Sequence, residues 1–271
     1  MSNVSAFAAV QAYLSRGEDL FLIEIGWQAM IAVGILLVSL SLARVTVPYG
    51  RHTWKGGLLL PLPAKLGWFV QEAPALCVPL FLITNVGGRY LGKINANTIL
   101  LGMFLLHYVH RVLIYPLYMK GKPTPFYIVL FAFFFCTVNG YMQGRWLTHF
   151  QEYDESWLYH PAFVAGVTLF LLGQAINIHS DLVLQGLRKP GETGYKIPYG
   201  GMFEYVSAPN YFGESLEWAG YALACWSLPA MAFALHTCLF LGTRAYHHHQ
   251  FYLKTFENYP KERKAFIPFV W

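Results

Sequence analysis

Apolar residues run in long blocks along this chain, neither alternating like a half-buried strand nor tracing the narrow stripe of a surface helix. Blocks at residues 20–47, 68–84, 98–118, 126–146, 161–184 and 228–246 each approach the roughly 17–25 residues that a membrane-spanning helix needs. Six spans are expected on that ground. A seventh block, residues 205–226, is interrupted by Asn210, Glu214 and Glu217, so hydropathy alone leaves it open. Charge placement decides it. Lys and Arg concentrate around Arg51, Lys55 and Lys65, then Lys120 and Lys122, then Arg188, Lys189 and Lys196, and last Lys254, Lys261, Arg263 and Lys264. These four segments are expected on the cytoplasmic side. The stretch with Glu152, Asp154 and Glu155 has no basic residue and belongs outside; Arg89 and Lys93 run mildly against the rule. Two spans must then separate Arg188 from the cytoplasmic tail, which makes residues 205–226 a crossing.

The expectation is therefore an all-α integral membrane bundle of seven helices, N-terminus outside or luminal and C-terminus cytoplasmic. It is one domain over residues 1–271, with helices 1–4 in about residues 1–150 and helices 5–7 in about residues 160–271. Residues 1–16 lack the basic start of a signal peptide and read as a short surface helix.

Composition agrees with the pattern: 56% of residues are hydrophobic and only 12% charged, against roughly a quarter charged in soluble proteins. The formal charge of +5 suits loops that meet anionic headgroups or an anionic cofactor. No basic helix or stacking platform for nucleic acid stands outside the apolar blocks. Cys77, Cys136, Cys225 and Cys238 all lie within apolar blocks with no CxxC pair, and read as buried free thiols.

Against this background polar residues in the blocks stand out, because an ionisable group at the centre of a spanning helix costs about 2.5–3.5 kcal/mol on insertion scales. Gln174, Asn177 and Asp181 share a helix face by spacing. Asn210, Glu214 and Trp218 follow i, i+4, i+8, as do Arg244, His248 and Tyr252. Three such stripes suit a large polar anionic ligand; the rival is a set of helix–helix hydrogen-bond seams. In the third block Tyr108, Arg111 and Tyr115 share a face, with Pro116 expected to kink the helix. In the second, Gln71 and Glu72 interrupt an apolar run, and burial favours a protonated, proton-donating Glu72 unless a cation pairs it.

Two motifs fail. His107 with His110 and the run His247 to His249 lack the spacing of a metal box, since successive residues point to different helix faces, so no metal is expected. GLRKPGETGYKIPYGG follows a membrane helix and lacks GxGxxG, so it is no Rossmann turn.

INIHSD (176–181), LRKPGE (187–192), YKIP (195–198), YVS (205–207), N-x-x-G-E (210–214), EW (217–218) and the long block 244–269, with FVQE (69–72) and HYVHR (107–111), together resemble the steroid 5-alpha-reductase family, in particular its type 2 group. The resemblance covers the chain from about Arg51 onward. It implies NADPH-dependent reduction of the carbon 4–5 double bond of a 3-oxo-Δ4-steroid of the testosterone or progesterone kind, by a monomer in a lipid bilayer without nucleic acid. The membrane would be endoplasmic reticulum in a eukaryote and inner membrane in a bacterium. By the family pattern Glu72 and Tyr108 contact the 3-keto oxygen. Asn177, Asp181, Arg188, Tyr195, Lys196, Asn210, Glu214, Arg244, His248 and Tyr252 serve the cofactor, with Arg111, Tyr115 and Trp218 near it. Lys122 and Lys196 stand where the type 2 group is expected to have Arg, and Phe131 where it has a basic residue; Lys keeps the charge but loses bidentate phosphate geometry. The competing readings are a membrane methyltransferase of the isoprenylcysteine type and a non-enzymatic sterol or lipid binder.

Overall fold

A computed structural model describes residues 6–43, 60–88, 94–187, 192 and 194–271. The chain divides into two compact units, Met1–Ala29 with Val47–His160, and Met30–Thr46 with Pro161–Trp271.

The first unit holds α1 (Ala6–Arg16), the start of α2 (Leu20–Leu42), α3 (Ala64–Phe81), α4 (Ala96–Val109), α5 (Tyr115–Tyr118) and α6 (Phe126–Arg145). A short antiparallel pair, β1 (Pro61–Leu62) with β2 (Thr124–Pro125), ties the approaches to α3 and α6 and was absent from the all-α expectation. At α4 the start is fixed locally: Asn95 Oδ1 accepts the Thr98 N–H at 2.9 Å and Thr98 Oγ1 accepts the Asn95 N–H at 3.0 Å, a reciprocal cap. Three helices continue through a π turn, at Leu82–Val86, His110–Ile114 and Trp146–Phe150. The middle one precedes Pro116. A proline cannot donate to the carbonyl four residues back, and the wider turn re-registers the helix there, where a simple kink was expected.

Spacing of small residues sets how α3 meets α6. A Cβ on Gly140 would lie 3.0 Å from Ala75 Cα, and one on Gly144 3.0 Å from Leu82 Cδ1 and 3.3 Å from Pro79 Cα. These two glycines, four apart, form the groove that receives the Pro74 and Pro79 turns of α3. The same end of α6 carries a buried ion pair with no precedent in the sequence reading. Arg145 Nε and Nη2 donate to the two Asp19 carboxylate oxygens at 2.7 and 2.5 Å, Nη2 also to Leu14 O at 2.8 Å, and Tyr141 donates to Asp19 as well. Burial pushes the Asp19 carboxyl up, but the Arg145 and Tyr141 hydrogen bonds and the Arg145 charge outweigh it and hold it below the usual aspartate value.

The second unit is built from the rest of α2 with α7 (Pro161–Gly186), α8 (Pro209–Cys225) and α9 (Leu228–Thr255). Each of α8 and α9 starts with a proline in its first turn, where its missing N–H costs nothing. α9 runs nine residues past the apolar block, so His247, His248, His249 and Tyr252 are helical.

Among the described residues five segments are long and apolar enough to cross a membrane: Leu20–Leu42, Ala64–Val86, Ala96–Tyr118, Phe126–Phe150 and Pro161–Gly186. Their outer faces carry apolar side chains such as Ile35, Leu36, Phe134 and Leu172, as a bilayer requires, and the chain is a multi-pass membrane protein. α8, 17 residues with Glu214 and Glu217, and the histidine-rich α9 fall outside this set. Phe131 is 74% exposed on α6, so the expected basic position faces outward and not into a site. Of the thiols only Cys136 and Cys225 are buried; Cys238 is half-buried and Cys77 exposed, because α3 turns that side away from α6.

Candidate functional site

In the first unit Tyr108 is 3% exposed near the end of α4, packed against Phe104 and His107 with ring centroids at 4.8 and 4.9 Å. Its phenol oxygen accepts the Asn139 amide N–H at 3.2 Å, and the Asn139 side-chain oxygen accepts from Gln143 at 3.3 Å. On α3, Glu72 is half-buried; its carboxyl accepts from Gln71 at 3.3 Å and from the Cys136 thiol at 3.8 Å. One turn beyond Tyr108, Arg111 is buried with its guanidinium 4.5 Å from the Trp68 ring and 4.9 Å from the Tyr115 ring. Those two rings meet at 5.0 Å, and Trp68 Nε1 donates to Arg111 O at 3.1 Å. Two aromatic faces hold the cation inside an apolar helix, an arrangement that hydropathy could not show. Glu72, Tyr108, Arg111 and Tyr115 thus all belong to the first unit.

The second unit gathers the other stripes. α7 and α8 approach until their backbones touch: a Cβ on Gly173 would lie 2.3 Å from Glu217 N, on Gly166 2.5 Å from Ala224 N, on Gly213 2.6 Å from Asn177 N, and on Gly220 2.5 Å from Phe170 N. Only glycine fits these four positions. Contact this close brings the polar stripes within hydrogen-bond reach. Asn177 Nδ2 donates to Asn210 O at 2.9 Å and to Glu214 Oε2 at 3.4 Å, and Asn210 Nδ2 donates to Asp181 Oδ1 at 3.1 Å. Two amides and two carboxylates from separate helices form one mesh at the start of α8.

Around this mesh the expected residues divide. His248 meets Tyr211 of α8 at 3.5 Å, Arg244 is buried with Phe240 beside it, and Tyr252 stacks flat on Tyr259 with centroids 5.1 Å apart. Trp218 departs from the stripe. It is 1% exposed within an aromatic core of Phe170, Tyr221 and Phe233, because i+8 on an α-helix has drifted from the face of Asn210. Gln174 is half-buried on α7 and has no hydrogen bond in the mesh that Asn177 and Asp181 make. Tyr195 packs on Phe251, and Lys196 is an exposed side chain ion-paired with Glu192 at 2.5 Å. Arg188 lies outside the described residues, as do Arg51, Lys55, Arg89, Lys93 and Lys189.

As their successive positions on a helix imply, His247, His248 and His249 go three separate ways, to Ser41 at 2.9 Å, Tyr211 at 3.5 Å and Ser207 at 2.6 Å. Sequence reasoning did not single out Ser207 or Arg263 as site neighbours. Ser207 also meets Tyr259 at 2.7 Å. Arg263, read as a free tail charge, is 2% exposed; it donates to Pro198 O at 2.8 Å and stacks on Tyr199 and Tyr259. A Cβ on Gly201 would strike the His179 ring at 2.5 Å. The 198–204 stretch is therefore held by Arg263 at Pro198 and packed on His179 at Gly201. The only sequence signal for Arg263 was a basic residue beside Tyr259 and Pro260, too common to single out.

A family profile described as 3-oxo-5-alpha-steroid 4-dehydrogenase matches residues 122–271. Among curated proteins the chain is similar to rat 3-oxo-5-alpha-steroid 4-dehydrogenase 1, 52% identical across 85% of this chain and 88% of the relative. It is similar also to human 3-oxo-5-alpha-steroid 4-dehydrogenase 2, 48% identical across 91% and 95%, and to the human type 1 protein, 52% identical across 82% and 86%. These identities do not favour the type 2 group over type 1.

Proposed function

From the premise that the chain belongs to the 3-oxo-5-alpha-steroid 4-dehydrogenase family, we propose that it reduces the carbon 4–5 double bond of a 3-oxo-Δ4-steroid to the 5α product with NADPH. The observation that carries this reading is the buried phenol of Tyr108, held by Asn139 within an apolar unit of a membrane protein of this family.

The donor set of the second unit fits a dinucleotide. Asn177, Asp181, Asn210 and Glu214 offer acceptors and amide donors for ribose hydroxyls and a carboxamide, while Arg188, Lys196 and Arg244 offer charge for phosphates. Tyr195, His248 and Tyr252 add hydrogen-bonding groups with flat faces. NADPH supplies a hydride when bound.

Everything else falls to the side chains. As the double bond is reduced, negative charge develops on the 3-keto oxygen, and a donor aimed there stabilises the enolate far more in an apolar site than in water. Tyr108 is such a donor, and Glu72 in its protonated form is the second; with the hydride on carbon 5, the enolate collapses as carbon 4 takes a proton that comes ultimately from solvent. The phenylalanines and leucines of the first unit exclude water around a flat tetracycle. The topology that goes with this reading is seven crossings, with α8 and α9 as the sixth and seventh, the N-terminus outside and the C-terminus cytoplasmic; its membrane is the endoplasmic reticulum in a eukaryotic cell.

Membranes containing the protein, incubated with NADPH and testosterone or progesterone, are expected to yield the 5α-dihydro product by mass spectrometry. Recovery of unreacted steroid, with the protein folded and the nucleotide in excess, would remove the assignment for these substrates.

A further inference from the structure

We propose that Asn139 and Gln143 of α6 are positioning residues that act through Tyr108, an inference that rests on the reading of Tyr108 as the donor to the substrate carbonyl. Both side chains are buried, at 0% and 1% exposure, four residues apart on a helix composed mostly of Phe, Val, Tyr and Gly. A pair of amides there is an expense that leucine would avoid.

The direction of the hydrogen bonds gives the pair its purpose. Gln143 Nε2 donates to Asn139 Oδ1 at 3.3 Å, which fixes the amide orientation and turns the Asn139 NH2 toward Tyr108. Asn139 Nδ2 then donates to the phenol oxygen at 3.2 Å. With that N–H on its oxygen, Tyr108 meets a carbonyl as a donor. Each donor in such a series polarises the next, so the two amides strengthen the phenol where charge develops. A third residue on the same helix, Cys136, directs its thiol to Glu72 Oε2 at 3.8 Å. α6 therefore touches both groups assigned to the carbonyl while contributing no group assigned to it.

A seam that merely joins α4 to α6 would behave differently. Removing one buried partner leaves the other unsatisfied and lowers stability, whereas removing both is close to neutral, and any loss of activity would follow loss of folded protein and be indifferent to Tyr108. The test is a double-mutant cycle on the detergent-purified full chain: Asn139→Leu and Gln143→Met, each alone and combined with Tyr108→Phe. The readouts are kcat and KM for NADPH and testosterone, with the melting temperature.

Asn139→Leu is expected to lower kcat about tenfold, the scale of one lost hydrogen bond to a polarised group, with both KM values within about threefold. In the Tyr108→Phe background it should lower kcat no further. Gln143→Met should give the same pattern at smaller amplitude. Equal losses with and without the Tyr108 hydroxyl, or wild-type kcat in folded Asn139→Leu, overturns the inference and leaves the function standing. If Asn139→Leu does not fold, the Gln143→Met cycle decides on the same criterion. Wild-type turnover in Tyr108→Phe removes the catalytic reading and this inference together.

Discussion

The two units pack their helices by the same device to different depths, and the difference governs what their polar residues do. A Cβ on Gly140 of α6 would lie 3.0 Å from α3, whereas between α7 and α8 the distance falls to 2.3 Å for a Cβ on Gly173. The tighter seam leaves no room for side chains along its axis. Asn177, Asp181, Asn210 and Glu214 at its edge consequently reach across to one another and knit a mesh. In the first unit the polar groups lie away from the glycine seam, where α6 faces α4, and form a directed series from Gln143 through Asn139 to Tyr108. A mesh of donors and acceptors suits a ligand with many hydroxyls and phosphates; a directed series suits one carbonyl.

The comparison breaks most visibly at the glycines. Gly173→Ala forces a Cβ into the Glu217 backbone and should destabilise the protein by on the order of 3 kcal/mol or more, while Gly140→Ala stays within the roughly 1–3 kcal/mol usual for overpacking. Thermal denaturation of the two variants side by side checks this; equal melting temperatures would mean the seams do not differ.

Next in size is Tyr108→Phe, expected to cut turnover by roughly 10² to 10³, the scale of one lost oxyanion donor, with NADPH affinity unchanged because the mesh is intact. Glu72→Gln should move in the same direction. Nucleotide titration beside kcat measurement tests the split. A matching loss of NADPH affinity would show that the division of labour is misdrawn.

The converse is Asn210→Ala, which strips Asp181 of one donor and should weaken NADPH binding about 10- to 100-fold, by analogy with hydrogen bonds to charged groups. Saturating NADPH should restore most of the turnover; a kcat loss that persists at saturation argues against a binding role. The smallest effect separates two thiols that looked alike in sequence. Cys225→Ser places a hydroxyl in a fully packed position and should cost about 1–3 kcal/mol, whereas Cys77→Ser, at the exposed face of α3, should stay within about 0.5 kcal/mol. Thermal melts of both variants resolve the difference.

Much of the architecture was legible because a membrane imposes a length and an apolar composition on any helix that crosses it. Helix starts at Leu20, Phe126, Pro161 and Leu228 coincide with the apolar blocks. The stripes of α7 and α8 were legible for a related reason, since helical period alone places Asn177 with Asp181 and Asn210 with Glu214. The same period misled at Trp218, where eight residues of accumulated drift carried the side chain into the aromatic core.

What the sequence by itself determined is the set of helices and the residues that share a face on each, because both follow from local spacing. Only the tertiary structure decided which faces meet. Asn139 finds Tyr108 across 31 positions of sequence and Arg145 finds Asp19 across 126; no local periodicity encodes such a pairing. It arises from the way whole helices pack, after which a buried amide, guanidinium or carboxylate takes the partner that the approach puts within reach, since leaving one unpaired in an apolar interior is the costlier outcome.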